Sequence, residues 1–172
     1  ANKIIKKFSL KKNDIIVEIG SNDGTALSFF KKNKLKCIGV DPAKKPVEIA
    51  KKKNIESICD FFSYKVADSI KKNFGSAKII TSHNTLAHID NWDEIARSVY
   101  KLLDKDGVFI FEVGYFVDVF NNNLFDTIYH EHLDYHHAAP LVKFLNKIGF
   151  RIINITTNKI QGGSIRILCR KM

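Results

Sequence analysis

Apolar and polar positions along the chain follow two alternating periods. Short, largely β-branched apolar runs recur at 14–20 (DIIVEIG), 37–41 (CIGVD), 55–60 (IESICD), 77–83 (AKIITSH) and 108–113 (VFIFEV), and each reads as a buried strand. Between them lie segments of helical period. In 24–33, Ala26, Leu27, Phe29 and Phe30 form the inward side, and Lys31-Lys32 fall at the cation-favouring end. Pro46 opens a helix running to Lys53. A third helix spans 63–73 and stops near Asn73 and Gly75. The clearest amphipathic stretch is 92–103, where Trp92, Ile95, Ala96, Val99, Leu102 and Leu103 recur at three and four. Asp106-Gly107 then predicts a turn into the fifth strand. Farther on, Leu141, Val142, Phe144, Leu145 and Ile148 mark a helix closed by Gly149. Two last strands, 150–157 and 164–170, flank Gly162-Gly163, and so short a connection makes them antiparallel. Before residue 14 the charged start leads straight into the first strand.

Strand–helix alternation of this kind predicts an α/β sandwich of three layers. Its seven-stranded sheet is mostly parallel, with helices on both faces and an antiparallel hairpin at the C-terminal end. The segment 115–136 is the exception, polar and rich in Asn and His. Following the fifth strand, it falls at the carboxyl edge of the sheet, where open α/β folds bind ligands. An irregular stretch of that length in a compact domain is usually functional or disordered.

The length of 172 residues suits one domain. A net charge of +10 raises the question of nucleic acid. The lysines, however, come in scattered pairs on helix faces, with no interleaved exposed aromatics for base stacking, so nucleic acid is not the expected partner. What remains of the charge favours anionic small ligands such as a nucleotide diphosphate. Three widely separated cysteines fit no zinc spacing and suit a reducing, cytoplasmic setting. No apolar run approaches the roughly 20 residues of a membrane helix, and no leader is visible. The abrupt start suits a domain cut from a longer protein.

Candidate chemistry gathers at the strand ends. The first strand runs into Glu18-Ile19-Gly20-Ser21-Asn22-Asp23-Gly24. Gly20 permits a sharp turn, and Gly24 a close approach of backbone to ligand at the helix start. Asp41, followed by Pro42, closes the second strand, where an acid can hold both hydroxyls of a ribose. Asp60 and Phe61 close the third, where a carboxylate can accept an adenine amine and a ring can cover the base. A dinucleotide fingerprint needs a second glycine where Asn22 stands, and Asp23 adds negative charge close by, which disfavours a pyrophosphate. VEIGSNDG with these two acids resembles the Rossmann-like S-adenosylmethionine-dependent methyltransferases, whose cofactor has no phosphate to repel. The resemblance covers nearly the whole chain and implies that Glu18, Gly20, Ser21, Asn22, Gly24, Asp41, Pro42, Asp60 and Phe61 bind S-adenosylmethionine. It adds Asn84 and His88, in the loop after the fourth strand, as contacts flanking the donor methionine moiety; a turn and a packing role are their alternative.

Four of the six histidines lie within 126–137 (DTIYHEHLDYHH). The cluster admits a metal site, loop capping or acid–base catalysis; it lacks the HExxH spacing of a zinc site. With GGSIR at 162–166, DTIYHEHLDY resembles the C-methyltransferases of nucleotide-linked keto-deoxysugars. That resemblance implies His132 as general base, assisted by Glu131 and Tyr129, with no metal. It also implies flanking domains, since such enzymes carry an N-terminal zinc domain and a C-terminal α/β domain, and it departs from this chain at Gln161, where histidine is frequent. The other readings of these residues are an O- or N-methyltransferase of small molecules and a non-catalytic cofactor-binding module.

Overall fold

In the computed structural model, which describes residues 1–172, the seven strands are β1 (Ile15–Ile19), β2 (Lys36–Asp41), β3 (Glu56–Cys59), β4 (Ala77–His83), β5 (Leu103–Gly114), β6 (Phe150–Asn158) and β7 (Ser164–Lys171). They form one sheet in the order β3-β2-β1-β4-β5-β7-β6. The first five run parallel to one another, and β7 is antiparallel to both β5 and β6. The expected three-layer α/β sandwich is therefore the fold. The strand order reverses between β1 and β4, which opens a crevice at their carboxyl ends.

The helices are α1 (Asn2–Lys7), α2 (Thr25–Lys31), α3 (Lys44–Lys52), α4 (Tyr64–Phe74), α5 (Trp92–Leu102), α6 (Phe116–Asn121) and α7 (Ala138–Ile148). On one sheet face α4, α5 and α7 bury Val66, Ile70, Ile95, Val99, Leu141 and Leu145 against Val17, Ile80, Phe109 and Phe111. On the other, Leu27 and Phe30 of α2 and Ala50 of α3 cover Ile16, Ile79 and Cys37. Two helices start where a side chain satisfies free backbone donors: the Ser63 hydroxyl accepts from Val66 N, and Asn91 Oδ1 accepts from Glu94 N at 3.0 Å. Gly149, left-handed at φ 112°, closes α7. None of these helices is long and apolar enough to cross a membrane.

Four local expectations are corrected. The start of the chain is not an extended lead-in but α1, whose Ile4 and Ile5 pack on the face that α2 covers. Pro46 lies third in α3 rather than opening it, tolerated because first-turn N–H groups have no helical partner. Asp106-Gly107 does not turn the chain: β5 already begins at Leu103, with a register shift against β4 between Ala77 and Ile79. The polar segment 115–136 is not wholly irregular, since it contains α6 and a single 3₁₀ turn at Phe125–Thr127.

Candidate active site

The turn after β1 forms the first wall of the crevice. Gly20 has φ 70°, and a β-carbon there would lie 2.6 Å from Thr85 Cγ2, so only glycine fits against the loop after β4. The Asp41 carboxylate organises the loop: Oδ2 accepts from Asn22 N and Oδ1 from Ala43 N, each at 2.9 Å. A carboxylate has about four acceptor positions. Each Asp41 oxygen thus keeps one for a further donor, while the exposed Pro42 beside it shapes the rim. Asp60 lies just past the end of β3 and accepts from Phe61 N at 2.8 Å; the Phe61 ring is 74% exposed and free to lie on a flat ligand.

Three residues of this loop sit differently from expectation. Gly24 is needed for packing, since the space a side chain would take is filled by protein. A β-carbon there would meet Ile55 Cδ1 at 2.7 Å and Ala50 Cβ at 3.2 Å, so this glycine packs α2 against α3 and the start of β3. The Ser21 side chain is buried against Gly39 of β2, leaving only its backbone for the crevice. Asp23 adds no free charge, because Lys53 binds it at 2.7 Å and holds its carboxyl down at about 2. The case against a pyrophosphate therefore passes from Asp23 to Glu18 and Asp41.

Glu18 is 3% exposed. Its Oε1 lies 3.1 Å from His83 Nδ1, while Oε2 is buried without any partner. Burial pushes its carboxyl up, and the hydrogen bond to His83 pulls it back. Asn84, left-handed at φ 52°, also carries a buried, unpartnered Oδ1. Orphaned acceptors in a crevice ringed by carboxylates fit a cationic, phosphate-free ligand such as S-adenosylmethionine.

Asn84 is also the edge of a second space, a cavity of about 340 Å³ lined by His88, Tyr129, His132, Asp134 and Gln161 among others. The loop after β5 is fastened over the carboxyl edge at three points. Phe116 N donates to His136 O, Leu133 N to Ala87 O, and His88 Nδ1 to Glu131 O at 2.7 Å. Within it, His132 Nδ1 lies 2.8 Å from the Thr127 carbonyl. A carbonyl only accepts, so Nδ1 carries the hydrogen and Nε2 is the basic lone pair. The Tyr129 hydroxyl, 3.1 Å from Nε2, donates to it. His88 completes the group, its ring centroid 5.0 Å from that of His132. It lies in this cavity rather than in the crevice beside β1.

The structure does not bring Glu131 into this arrangement. Its backbone holds His88, but its side chain makes no hydrogen bond to His132 and lies with His130 beside a separate shallow depression. The Thr127 carbonyl orients the imidazole instead. Sequence reasoning missed Thr127 because a carbonyl carries no residue signature, and missed Asp134 and Gln161 as cavity walls because the loop path selects them. No group of three or more His, Cys, Asp or Glu converges as metal ligands.

A sequence profile described as a methyltransferase domain matches residues 1–155. The C-methyltransferase NovU of Streptomyces niveus is 34% identical over 161 residues, covering 94% of this chain. The chain spans 38% of that relative's length. Among solved structures, an S-adenosylmethionine-dependent methyltransferase from Clostridium acetobutylicum superposes with a TM-score of 0.74 at 13% identity, covering 99% of this chain and 88% of that one. Another from Anabaena variabilis gives 0.73 at 17% identity, covering 99% and 83%.

Proposed function

This chain belongs to the methyltransferase-domain family, and we propose that it methylates a carbon next to the ketone of a nucleotide-linked deoxysugar, with S-adenosylmethionine as donor and His132 as general base. The observation that carries the reading is the state of His132: Nδ1 is committed to the Thr127 carbonyl, and Nε2 is basic and paired with the Tyr129 hydroxyl beside the cavity. Oxygen and nitrogen acceptors are nucleophilic once deprotonated at modest cost. A carbon acceptor first needs a C–H proton removed, and an oriented imidazole is suited to that task.

S-Adenosylmethionine supplies the methyl group, already electrophilic on its sulfonium. The chain's own residues prepare the acceptor. The Tyr129 hydroxyl turns from Nε2 to the ketone oxygen, and the proton leaving the adjacent carbon reaches the freed Nε2 lone pair of His132. The new Nε2–H then donates to the Tyr129 oxygen, while the phenol hydrogen faces the oxyanion of the enolate. Thr127 keeps the imidazole in the required tautomer throughout. Asn84 borders this cavity and follows β4, so it connects the acceptor space to the donor crevice. Holding the enolate carbon in line with the methyl supplies several kcal/mol of the acceleration.

The test is incubation with donor and a nucleotide-linked keto-deoxysugar, followed by NMR location of the new methyl. Methyl on carbon, with a loss of roughly 10²–10⁴-fold in His132→Ala, is expected. Wild type should also exchange the adjacent C–H with deuterium in the absence of donor, and His132→Ala should not. Methyl on oxygen or nitrogen, or full exchange in the variant, rejects the reading.

A further inference from the structure

We infer that His83 is a positioning residue for the methyl donor: it holds the buried Glu18 carboxylate in one orientation, with its second oxygen left unpartnered for the positive charge of that donor. The inference rests on the donor assigned above and adds a residue to its site.

Glu18 lies near the end of β1, and His83, 65 positions away, ends β4. The two strands are parallel neighbours with Ile19 opposite Ser82, so both side chains emerge on one face where the strand order reverses. An ionised carboxylate only accepts, so the 3.1 Å contact makes His83 Nδ1 the donor. No other group donates to Glu18, and its Oε2 is sealed from solvent without a partner. Such an oxygen is costly to bury alone and gains most from an incoming positive charge. S-Adenosylmethionine brings two, on its ammonium and its sulfonium, whereas S-adenosylhomocysteine keeps only the ammonium.

The surroundings leave this task to His83. Arg166 of β7 lies on the same face, but it is bound to Glu112 of β5 at 2.5 Å and 2.9 Å. Glu112 in turn stands opposite His83 in the β4–β5 register. Lys3 and Lys7 of α1 line, with His83 and Arg166, a groove of about 690 Å³ on this face and form no ion pair with Glu18. The Thr81 hydroxyl lies 3.5 Å from His83 Nε2. Asp23 and Asp41 both press Glu18 toward its neutral form, as burial does, and the His83 hydrogen bond is the largest opposing influence.

The test is calorimetric titration of S-adenosylmethionine and S-adenosylhomocysteine into wild type, His83→Leu, His83→Ala and His83→Asn across a pH series. In His83→Asn the amide nitrogen takes the place of Nδ1. His83 is half exposed, so the Leu and Ala variants provide two independent removals of the donor without opening the core. Both are expected to weaken S-adenosylmethionine binding roughly 10-fold or more, with a smaller effect on the homocysteine product. Both should move the acid limit of binding upward, because Glu18 then protonates more readily. His83→Asn should restore affinity and acid limit together. Wild-type affinity and an unmoved acid limit in the Leu and Ala variants overturn the role of His83, as does an Asn variant that restores neither. Failure of wild type itself to bind either ligand overturns the donor assignment and this inference with it.

Discussion

Replacing Gly24 by alanine is expected to destabilise the protein without touching ligand binding by the folded fraction. Two costs add. Gly24 has φ 73° and ψ 14°, and a left-handed conformation costs an L-residue about 1–2 kcal/mol. The new methyl also meets Ile55 Cδ1 at 2.7 Å and Ala50 Cβ at 3.2 Å. The isoleucine contact is with the end of a side chain that can turn slightly, so overpacking adds about 1 kcal/mol, the low end of its usual range. The expected loss is therefore about 2–3 kcal/mol. Urea denaturation followed by circular dichroism measures it as a lower midpoint at unchanged slope. Ile55→Val removes the contacting methyl and costs about 1 kcal/mol alone. In the double variant the two losses should fall short of their sum by about 0.5–1 kcal/mol, since the residues touch. Binding of S-adenosylhomocysteine should persist in all three variants. A Gly24→Ala protein with wild-type stability and lost binding refutes the packing role and returns Gly24 to the ligand.

Asp41→Ala removes the acceptor for Asn22 N and Ala43 N as well as the candidate ribose partner, so calorimetry should show binding weakened by roughly 10-fold or more; unchanged binding would mean that the ribose lies elsewhere. Glu18 carries a raised carboxyl because it is buried, so its contribution to stability is present at acid pH and is lost as pH rises through its folded value. Glu18→Gln should accordingly raise the melting temperature near neutral pH while abolishing donor binding, and an unchanged melting temperature contradicts the burial argument. His136 shows the opposite sign: burial lowers its imidazole below 6.5, so the fold prefers it neutral and loses stability as pH falls from that value toward the folded one. His136→Asn should flatten this acid loss in urea titrations. Nitrogen NMR of His132 should show hydrogen on Nδ1 and none on Nε2 at alkaline pH; the opposite tautomer removes the base from the proposed reaction.

Much of the molecule was legible in the chain because local rules encode it. A period of two or of 3.6 residues, punctuated by Gly20, Pro46, Gly75 and Gly149, sets the order and kind of nearly every element. Strand ends in such a fold lie on one edge, so Asp41 and Asp60 were assignable to that edge without coordinates. Missed features belong to two kinds. Short or bulged elements such as α1, α6 and the start of β5 carry too few periods to announce themselves. Roles that depend on which distant residue arrives next to which were equally hidden. Asp23 looked like a free charge until α3 brought Lys53 against it. Gly24 looked like a ligand-facing residue until Ile55 and Ala50 closed on it. His132 was singled out by its motif, but its tautomer comes from a carbonyl five residues earlier, and its neighbour His88 comes from another loop. The pairing of Glu18 with His83 exists only because β4, and not β3, lies beside β1. The sequence by itself thus determined the elements, their order and the chemical types at the sheet edge, since these follow from short-range periodicity. Only the tertiary structure decided which charges are neutralised and which acceptors stay unpartnered, since those depend on contacts between residues far apart in the chain, and which imidazole nitrogen is basic, since that depends on the path the loop takes.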